Sequence, residues 1–164
     1  MMARNTRNVA IEDKDIRAII FRNFSGQPDA FNPKGAMGNF TIVLENEKAQ
    51  ELADKGLNVV YKENRDGDQE ARLKIFVRFE HVPPKVYQIT GKNSVELDAD
   101  TIRCLDTAEI AKADLIVSPY HYEFNGREGV KAYLSKGYFT IEEDQFAKRY
   151  FGGGEKLDDI PWMP

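Results

Sequence analysis

The chain consists mostly of short apolar runs of strand type, separated by polar turns rich in glycine, proline and asparagine. In the clearest of these runs every second residue is apolar or aromatic, which is the pattern of a half-buried strand. The runs that predict strands are residues 16–22, 39–44, 57–62, 71–80, 85–90, 95–97, 114–124, 130–134 and 138–141. Spacings of three and four residues predict only short helices, over residues 46–55, 101–105 and 142–150.

Strands with a few short helices between them predict a mainly β domain. The order of elements is typical of an OB-fold-like, partly closed antiparallel β-barrel with short inserted helices, and a β-sandwich is the alternative. Asn125 and Gly126 form the strongest hairpin signal in the chain and predict a type I′ turn. We interpret Gly137 as a β-bulge in the returning strand.

Composition divides the chain into three parts. Residues 1–15 are polar with mixed charge and are expected to form an N-terminal arm or a poorly formed first strand. Residues 16–151 are expected to form the OB-fold domain, which is long enough to bury a core without disulfides. Residues 152–164 begin with three glycines and are expected to form a flexible acidic tail.

Charge is distributed unevenly along the 164 residues. The formal net charge is −4, but six acidic and three basic residues lie from position 142 onwards. The preceding body carries 21 acidic and 20 basic residues and is therefore almost neutral. Any surface that binds phosphate must then be made by local clusters of cations.

The sequence favours a cytoplasmic protein, in the host cell if a phage encodes it. It contains no apolar run of about 18 residues that could cross a membrane, and its first residues lack the apolar segment of a secretory signal. The single cysteine, Cys104, excludes an internal disulfide and fits a reducing compartment. We expect it to be a small buried thiol.

The strand predicted over residues 71–80 has two chemically different faces. Its odd-numbered positions from 73 to 79 are apolar and predict the side that enters the core. The opposite side carries Arg72, Lys74, Phe76 and Arg78. An aromatic ring between cations on a solvent-facing strand suits the stacking of bases and the pairing of phosphates. The alternative is a solvated charged face with Phe76 under a loop.

The loop after the first predicted strand is a second candidate surface. Residues 23–37 contain two glycines and two prolines, which exclude regular structure, and long loops in compact domains are often functional. The aromatic and basic residues predicted to contact nucleic acid here are Arg22, Phe24, Phe31 and Lys34. Phe21 and Phe40 are predicted to lie in the core.

The predicted hairpin near the C-terminal end of the domain is a third candidate surface. It carries Tyr120, Tyr122, Arg127, Lys131 and Tyr133. A tyrosine can stack through its ring and keep its hydroxyl in water. The alternative is that Tyr120 and Tyr122 belong to the core.

Enzymatic chemistry finds little support in the sequence. His81 and His121 lie at no metal-ligand spacing. Asp98, Asp100 and Asp106 could form a magnesium cluster, but Asp100 is better explained as a helix cap. The sequence therefore predicts no catalytic residues, no metal site and no cofactor.

The tail combines acidic residues with an apolar end: Asp158, Asp159, Ile160, Pro161 and Trp162. It resembles the acidic C-terminal tip of bacterial single-stranded DNA-binding proteins, which ends in an acidic run followed by Ile-Pro-Phe. This chain departs from that pattern, because a tryptophan replaces the phenylalanine and two residues follow it. The resemblance implies a tail that recruits replication or recombination proteins.

The body, over about residues 16–141, resembles a family of tailed-bacteriophage single-stranded DNA-binding proteins. The motifs that carry the resemblance are RNFSG at residues 22–26, FN at 31–32, GNF at 38–40, the Gly-x-Asn-Val run at 56–59, VPPKV at 82–86, LDADT at 97–101 and the hairpin sequence at 118–134. The resemblance implies an OB fold, sequence-tolerant binding of single strands and a role in phage DNA replication or recombination. The resemblance assigns no individual residue of this chain to a contact with DNA.

These observations together predict a protein that coats single-stranded DNA through cations on phosphates and aromatic rings on bases. The alternatives are an RNA-binding OB protein, or a structural module that binds only proteins. The sequence leaves homo-oligomerisation open and predicts no membrane partner.

Overall fold

The computed structural model describes residues 8–28, 35, 37–80 and 82–142. It contains nine strands: β1 (Val9–Ile11), β2 (Ile16–Asn23), β3 (Gly38–Leu44), β4 (Val60–Glu63), β5 (Gln69–Val77), β6 (Lys85–Thr90), β7 (Asn93–Leu97), β8 (Ile110–Phe124) and β9 (Arg127–Ile141). One α-helix, α1 (Asn46–Asp54), and two short 3₁₀ helices, Asp13–Asp15 and Ile102–Asp106, complete the described part. The prediction of a mainly β protein is confirmed.

The nine strands form a single curved sheet, so the two-sheet sandwich is not observed. Its main path runs β1-β8-β9-β5-β3-β2, with β4 paired to β5 and the β6–β7 hairpin paired to β9. Strand β9 is central, because it pairs with β8 along its whole length and contacts both β5 and β6 in parallel. The remaining pairings are antiparallel.

The two ends of this path are joined by a tight turn rather than by a complete ladder. β1 pairs with β8 and β2 pairs with β3, and the 3₁₀ helix Asp13–Asp15 connects them. Asp13 ties this turn to β8: its Oδ1 accepts a hydrogen bond from the Ala113 amide at 2.9 Å, and its own amide donates to Asp114 Oδ1 at 3.0 Å. The sheet is therefore curled and only partly closed.

The core lies inside the curl. Its centre is a cluster of three aromatic rings, in which Phe24 and Phe40 stack with centroids 4.5 Å apart and Phe139 packs edge-on against both. All three are almost completely buried. The prediction that Phe40 lies in the core is therefore confirmed.

Helix α1 covers one end of the core with Ala49 and Leu52, as its spacing predicts. Gly56 follows it with φ 93°, a left-handed conformation that glycine adopts without steric cost and that ends the helix.

Several predicted boundaries are wrong. Val9–Ile11 is a strand of the domain rather than part of an arm, because Val9 and Ile11 are buried against β8. The regions predicted as two strands over residues 130–141 form one strand, and the helix predicted at 101–105 is a 3₁₀ helix. The bulge lies at Ser135 rather than Gly137, because Val117 pairs with residue 134 and Ile116 with residue 136.

The helix predicted over residues 142–150 and the tail lie outside the described residues, apart from Glu142. Within the described part of the chain, no helix is long and apolar enough to cross a membrane.

Candidate nucleic-acid interface

A β-bulge in β2 turns Phe21 to the outside of the sheet. The register runs from Ile20 opposite Thr41 to Asn23 opposite Asn39, so two residues of β2 lie opposite the single residue Phe40. Phe21 has φ 51°, a conformation that bulky residues rarely adopt, and its side chain is 67% exposed. Strained backbone of this kind is most often found at functional sites.

Phe21 forms one wall of a recess on the outer face of the sheet, which we call the groove. The groove has a volume of about 380 Å³ and is bounded by β2, β3, β4, β5 and the β8–β9 hairpin. Its charged residues are Lys62, Arg72, Lys74 and Lys131. None of the described residues that line it is acidic. A recess lined by one sign of charge concentrates the opposite charge, so the groove suits negatively charged groups.

Aromatic rings alternate with these cations. The guanidinium of Arg72 lies 5.5 Å from the centroid of the Phe21 ring. The ammonium groups of Lys74 and Lys131 lie 5.2 and 5.3 Å from the Phe76 centroid. Such cation–π contacts hold the side chains in place. The charges of Lys74 and Lys131 remain available to a ligand, whereas Arg72 also pairs with the Glu70 carboxylate.

Tyr122 completes the groove at the hairpin. Its cross-strand partner is Gly129, and a Cβ placed at residue 129 would lie only 2.4 Å from the Tyr122 ring. The ring therefore lies directly against the glycine. Lys131 lies 5.6 Å from the ring centroid. Tyr122 remains 38% exposed, so the hairpin presents an oriented ring to the groove.

A row of three rings leads out of the groove across neighbouring strands. Phe76 on β5 contacts Tyr133 on β9 with centroids 5.9 Å apart, and Tyr133 packs edge-on against Tyr120 on β8 at 6.0 Å. Tyr133 and Tyr120 border a second recess of about 260 Å³, which Arg78 also lines. The row thus connects two adjacent concave surfaces.

The structure brings many of the predicted site residues to these surfaces. Arg72, Lys74, Phe76, Tyr122 and Lys131 line the groove. Arg78, Tyr120 and Tyr133 line the second recess. Arg127 instead lies beside the hairpin turn, paired with Phe124. Phe31, Lys34 and the tail residues Asp158, Asp159, Ile160, Pro161 and Trp162 lie outside the described residues.

The prediction that Phe24 contacts nucleic acid is wrong. Its side chain is only 1% exposed and its ring stacks on Phe40 in the core. The chain at this point lies directly on Gly38, where a Cβ would come within 2.2 Å of the Phe24 carbonyl oxygen. The start of the loop therefore packs closely against the first residue of β3.

Arg22 has a structural role that the sequence did not reveal. Its guanidinium donates to the carbonyl of Leu105 at 3.1 Å and to that of Ala108, and so ties β2 to the 3₁₀ helix Ile102–Asp106. These bonds direct the guanidinium away from the groove. Arg22 is therefore not part of the groove, and its contact with phosphate stays a prediction.

Two groove residues were missed by the sequence reasoning. The sequence predicts Phe21 in the core, and it predicts Lys62 only as part of a strand. The bulge that exposes Phe21 leaves no local signal, because it depends on the register with β3. Lys62 could have been found, since it lies on an exposed strand that pairs with β5 beside its basic face.

Two of the three aspartates considered for a metal, Asp98 and Asp106, instead hold loops. The predicted helix cap by Asp100 is wrong, because Thr101 precedes the 3₁₀ helix Ile102–Asp106 and no side-chain bond caps that helix. Asp98 Oδ1 accepts hydrogen bonds from the amides of Asp100 and Thr101 and from the Thr101 hydroxyl. The bonds from Thr101 lower the pKa of Asp98. Asp106 accepts from the Phe24 amide and from the Ser25 hydroxyl. Among the described residues, no group of three His, Cys, Asp or Glu side chains could hold a metal ion.

Cys104 lies in the 3₁₀ helix beside these loops. It is partly buried, and its thiol donates to Gln88 Oε1 at 2.9 Å. Burial raises the pKa of the thiol, and the nearby Asp106 carboxylate raises it further. The thiol is therefore kept in its neutral, weakly reactive form.

Comparison with known families decides the class of this protein. The family model of the phage ssDNA-binding domain matches residues 2–160. The chain belongs to this phage single-stranded DNA-binding family. Membership confirms the prediction of a DNA-binding protein rather than an enzyme, and the matched region extends over most of the acidic tail.

Two solved structures of the single-stranded DNA-binding protein from bacteriophage Enc34 share the fold. The structure in complex with ssDNA aligns with a TM-score of 0.53 at 9% identity and covers 84% of this chain and 88% of its own. The C-terminally truncated form aligns with a TM-score of 0.51 at 10% identity and covers 84% and 87%. The predicted OB-fold-like class is thereby confirmed. No curated protein sequence matches the chain.

Proposed function

We propose that this protein coats single-stranded DNA without strict sequence preference, and that the groove is where the strand binds. One observation carries the proposal: four cations surround exposed rings in a single recess whose described lining contains no carboxylate. Phosphates would pair with Lys62, Arg72, Lys74 and Lys131. Bases would stack on Phe21, Phe76 and Tyr122.

The geometry favours a single strand over a duplex. The rings project from a recess on the outer face of the sheet and from a strand bulge, so a base must turn its flat face towards the protein to reach them. Bases in a duplex are already stacked on each other and present only their edges. Every base of a single strand has a free face, which makes stacking tolerant of sequence.

The two kinds of contact contribute differently. Each base that stacks on an aromatic side chain is worth about 1–3 kcal/mol. Each neutralised phosphate releases counterions and steepens the loss of affinity with salt by about 0.7 in the log–log slope. Four groove cations therefore predict a slope of roughly −2 to −3.

The test is a fluorescence titration of labelled oligonucleotides at several salt concentrations. Single-stranded DNA, duplex DNA and RNA of the same sequence are compared. The proposal predicts that single-stranded DNA binds more tightly than the duplex and that its affinity falls steeply with salt. Affinity that does not depend on salt would overturn the phosphate-pairing mechanism, and tighter binding of RNA would support the RNA-binding alternative.

The acidic tail is proposed to recruit proteins of phage DNA replication or recombination in the host cytoplasm. The support is its charge and its apolar end, Ile160, Pro161 and Trp162, which suit a basic-rimmed apolar pocket on a partner. Deletion of residues 155–164 is expected to preserve or tighten DNA binding, because it removes negative charge. Weaker DNA binding by the truncated protein would contradict this role.

A further inference from the structure

The second recess differs from the groove in its charge. Besides Arg78 it contains Glu80, so a carboxylate accompanies the single cation among its described lining residues. The groove, in contrast, has cations only among its described lining residues. A phosphate that entered the second recess would meet the negative charge of Glu80, whereas a neutral base would not.

The walls of the second recess suit a flat aromatic group. Tyr120 is 56% exposed and forms one side. The loop residues Val82 and Pro83 form an apolar border, and Val82 is 87% exposed. Such apolar walls with a few polar groups are typical of sites that hold a planar ligand.

Three polar groups of the recess can reach the edge of such a ligand. Ser118 and Ser135 contribute hydroxyls, which can donate or accept, and Glu80 contributes a carboxylate, which only accepts. Ser135 lies at the β9 bulge and has no cross-strand partner in β8.

The row of rings makes this recess continuous with the groove. Tyr133 contacts Phe76 at the groove and Tyr120 in the second recess, with centroid distances of 5.9 and 6.0 Å. A strand that stacks on Phe76 therefore has a neighbouring base within reach of Tyr120. The occupant that fits both the continuity and the charge is a base of the same strand.

We infer that the second recess binds one base of the DNA strand that lies in the groove, and that it prefers cytosine or adenine over thymine. This inference rests on the proposed function. Glu80 accepts a hydrogen bond from the exocyclic amino group of cytosine or adenine. Thymine presents a carbonyl oxygen at the same position, which the carboxylate repels. The protein is then sequence-tolerant in the groove and mildly selective at one adjacent base.

The experiment measures the affinity of the full chain for dC and dT homopolymers of equal length at one salt concentration. The readout is the ratio of the two Kd values. We expect the wild-type protein to favour dC by about fivefold, the low end for one base-specific contact. In Glu80→Gln the side chain amide can donate as well as accept, so the preference is expected to fall below about twofold.

Glu96→Gln provides the matched control. Glu96 is an exposed residue of β7 and its substitution changes the net charge by the same amount. It is expected to tighten both complexes equally and to leave the ratio unchanged. The comparison between variants also cancels the different intrinsic stacking of the two homopolymers.

The outcomes separate the two proposals. Binding of both homopolymers with a ratio that Glu80→Gln does not change overturns the base site and leaves the groove in place. Binding of neither homopolymer overturns the proposed function, and the base site with it. A ratio that falls in Glu80→Gln but not in Glu96→Gln supports the base site.

Discussion

The guanidinium of Arg72 lies 5.5 Å from the centre of the Phe21 ring and also forms an ion pair with Glu70, at 2.8 Å between Nη2 and Oε2. Glu70 and Arg72 point to the same side of β5, two residues apart. The carboxylate therefore fixes the guanidinium, and the guanidinium in turn supports an exposed ring on the neighbouring part of the sheet. Arg72 acts here both as a cation of the groove and as the support for Phe21.

Loss of the Phe21 ring is expected to weaken DNA binding without unfolding the protein. Phe21→Gly should lower single-strand affinity by about 1–3 kcal/mol. It should leave the melting temperature unchanged or higher, because glycine adopts φ 51° without strain. Oligonucleotide titration and thermal unfolding measure the two effects.

Val95→Ala is the control for Phe21, since it removes an exposed apolar side chain from β7, outside the groove. It is expected to change neither the affinity for single-stranded DNA nor the melting temperature. A large fall in the melting temperature of Phe21→Gly would instead assign the ring to the core.

The two lysines at Phe76 are expected to act through phosphates. Lys74→Gln and Lys131→Gln should each make the salt slope of DNA binding shallower by about 0.7. Lys92→Gln, at the exposed turn between β6 and β7, should leave the slope unchanged. Salt-varied titrations measure the slopes of the three variants. Equal slopes in all three would show that Lys74 and Lys131 do not contact phosphate.

Gly129 and Tyr122 are expected to act as one unit. Gly129→Ala places a methyl group where the Tyr122 ring lies, so the ring must move. Gly129→Ala and Tyr122→Ala should therefore each weaken DNA binding, and the double variant should be no weaker than the worse single variant. A double-mutant cycle measures this coupling. Fully additive losses would mean that the glycine does not position the ring.

Phe24 is expected to matter for folding and not for binding. Phe24→Ala should reduce the free energy of unfolding by about 3–5 kcal/mol, as truncation of a buried phenylalanine does. Below the melting temperature of the variant, its salt slope for DNA should equal that of the wild type. Chemical unfolding measures the free energy of unfolding, and salt-varied titration measures the salt slope. A change of affinity without loss of stability would show that Phe24 contacts DNA.

Cys104 is expected to react slowly with alkylating reagents. Burial and Asp106 raise the pKa of its thiol, so less thiolate is present at a given pH than in an ordinary cysteine. The alkylation rate of the folded protein should rise with pH along a curve displaced to higher pH than that of glutathione. Mass spectrometry after timed alkylation measures it, and a curve displaced to lower pH would contradict the assignment.

The strands that carry the groove could be predicted because their signal is local. The alternation of β5 separates Arg72, Lys74 and Phe76 from the apolar side within a single strand, and no partner strand is needed to see it. The Asn125-Gly126 turn likewise fixes the hairpin that presents Tyr122.

The features that were missed depend on parts of the chain that are distant in sequence. Strand β1 has only three residues, and its partner in β8 lies about a hundred positions later. The exposure of Phe21 depends on a register shift against β3, and the burial of Phe24 depends on its close approach to Gly38. The sequence therefore predicted the composition of the surface better than the roles of Phe21 and Phe24 at its edge.

The central claim is that single-stranded DNA lies in the groove between the Phe21 bulge and the Tyr122 hairpin. Photo-crosslinking with an oligonucleotide that contains 5-iodouracil, followed by mass spectrometry of the crosslinked peptides, tests it most directly. The claim predicts crosslinks at Phe21, Phe76 or Tyr122 that are lost when excess unlabelled single strand is added. Crosslinks confined to peptides outside the groove and the second recess, such as the β6–β7 hairpin, would contradict it.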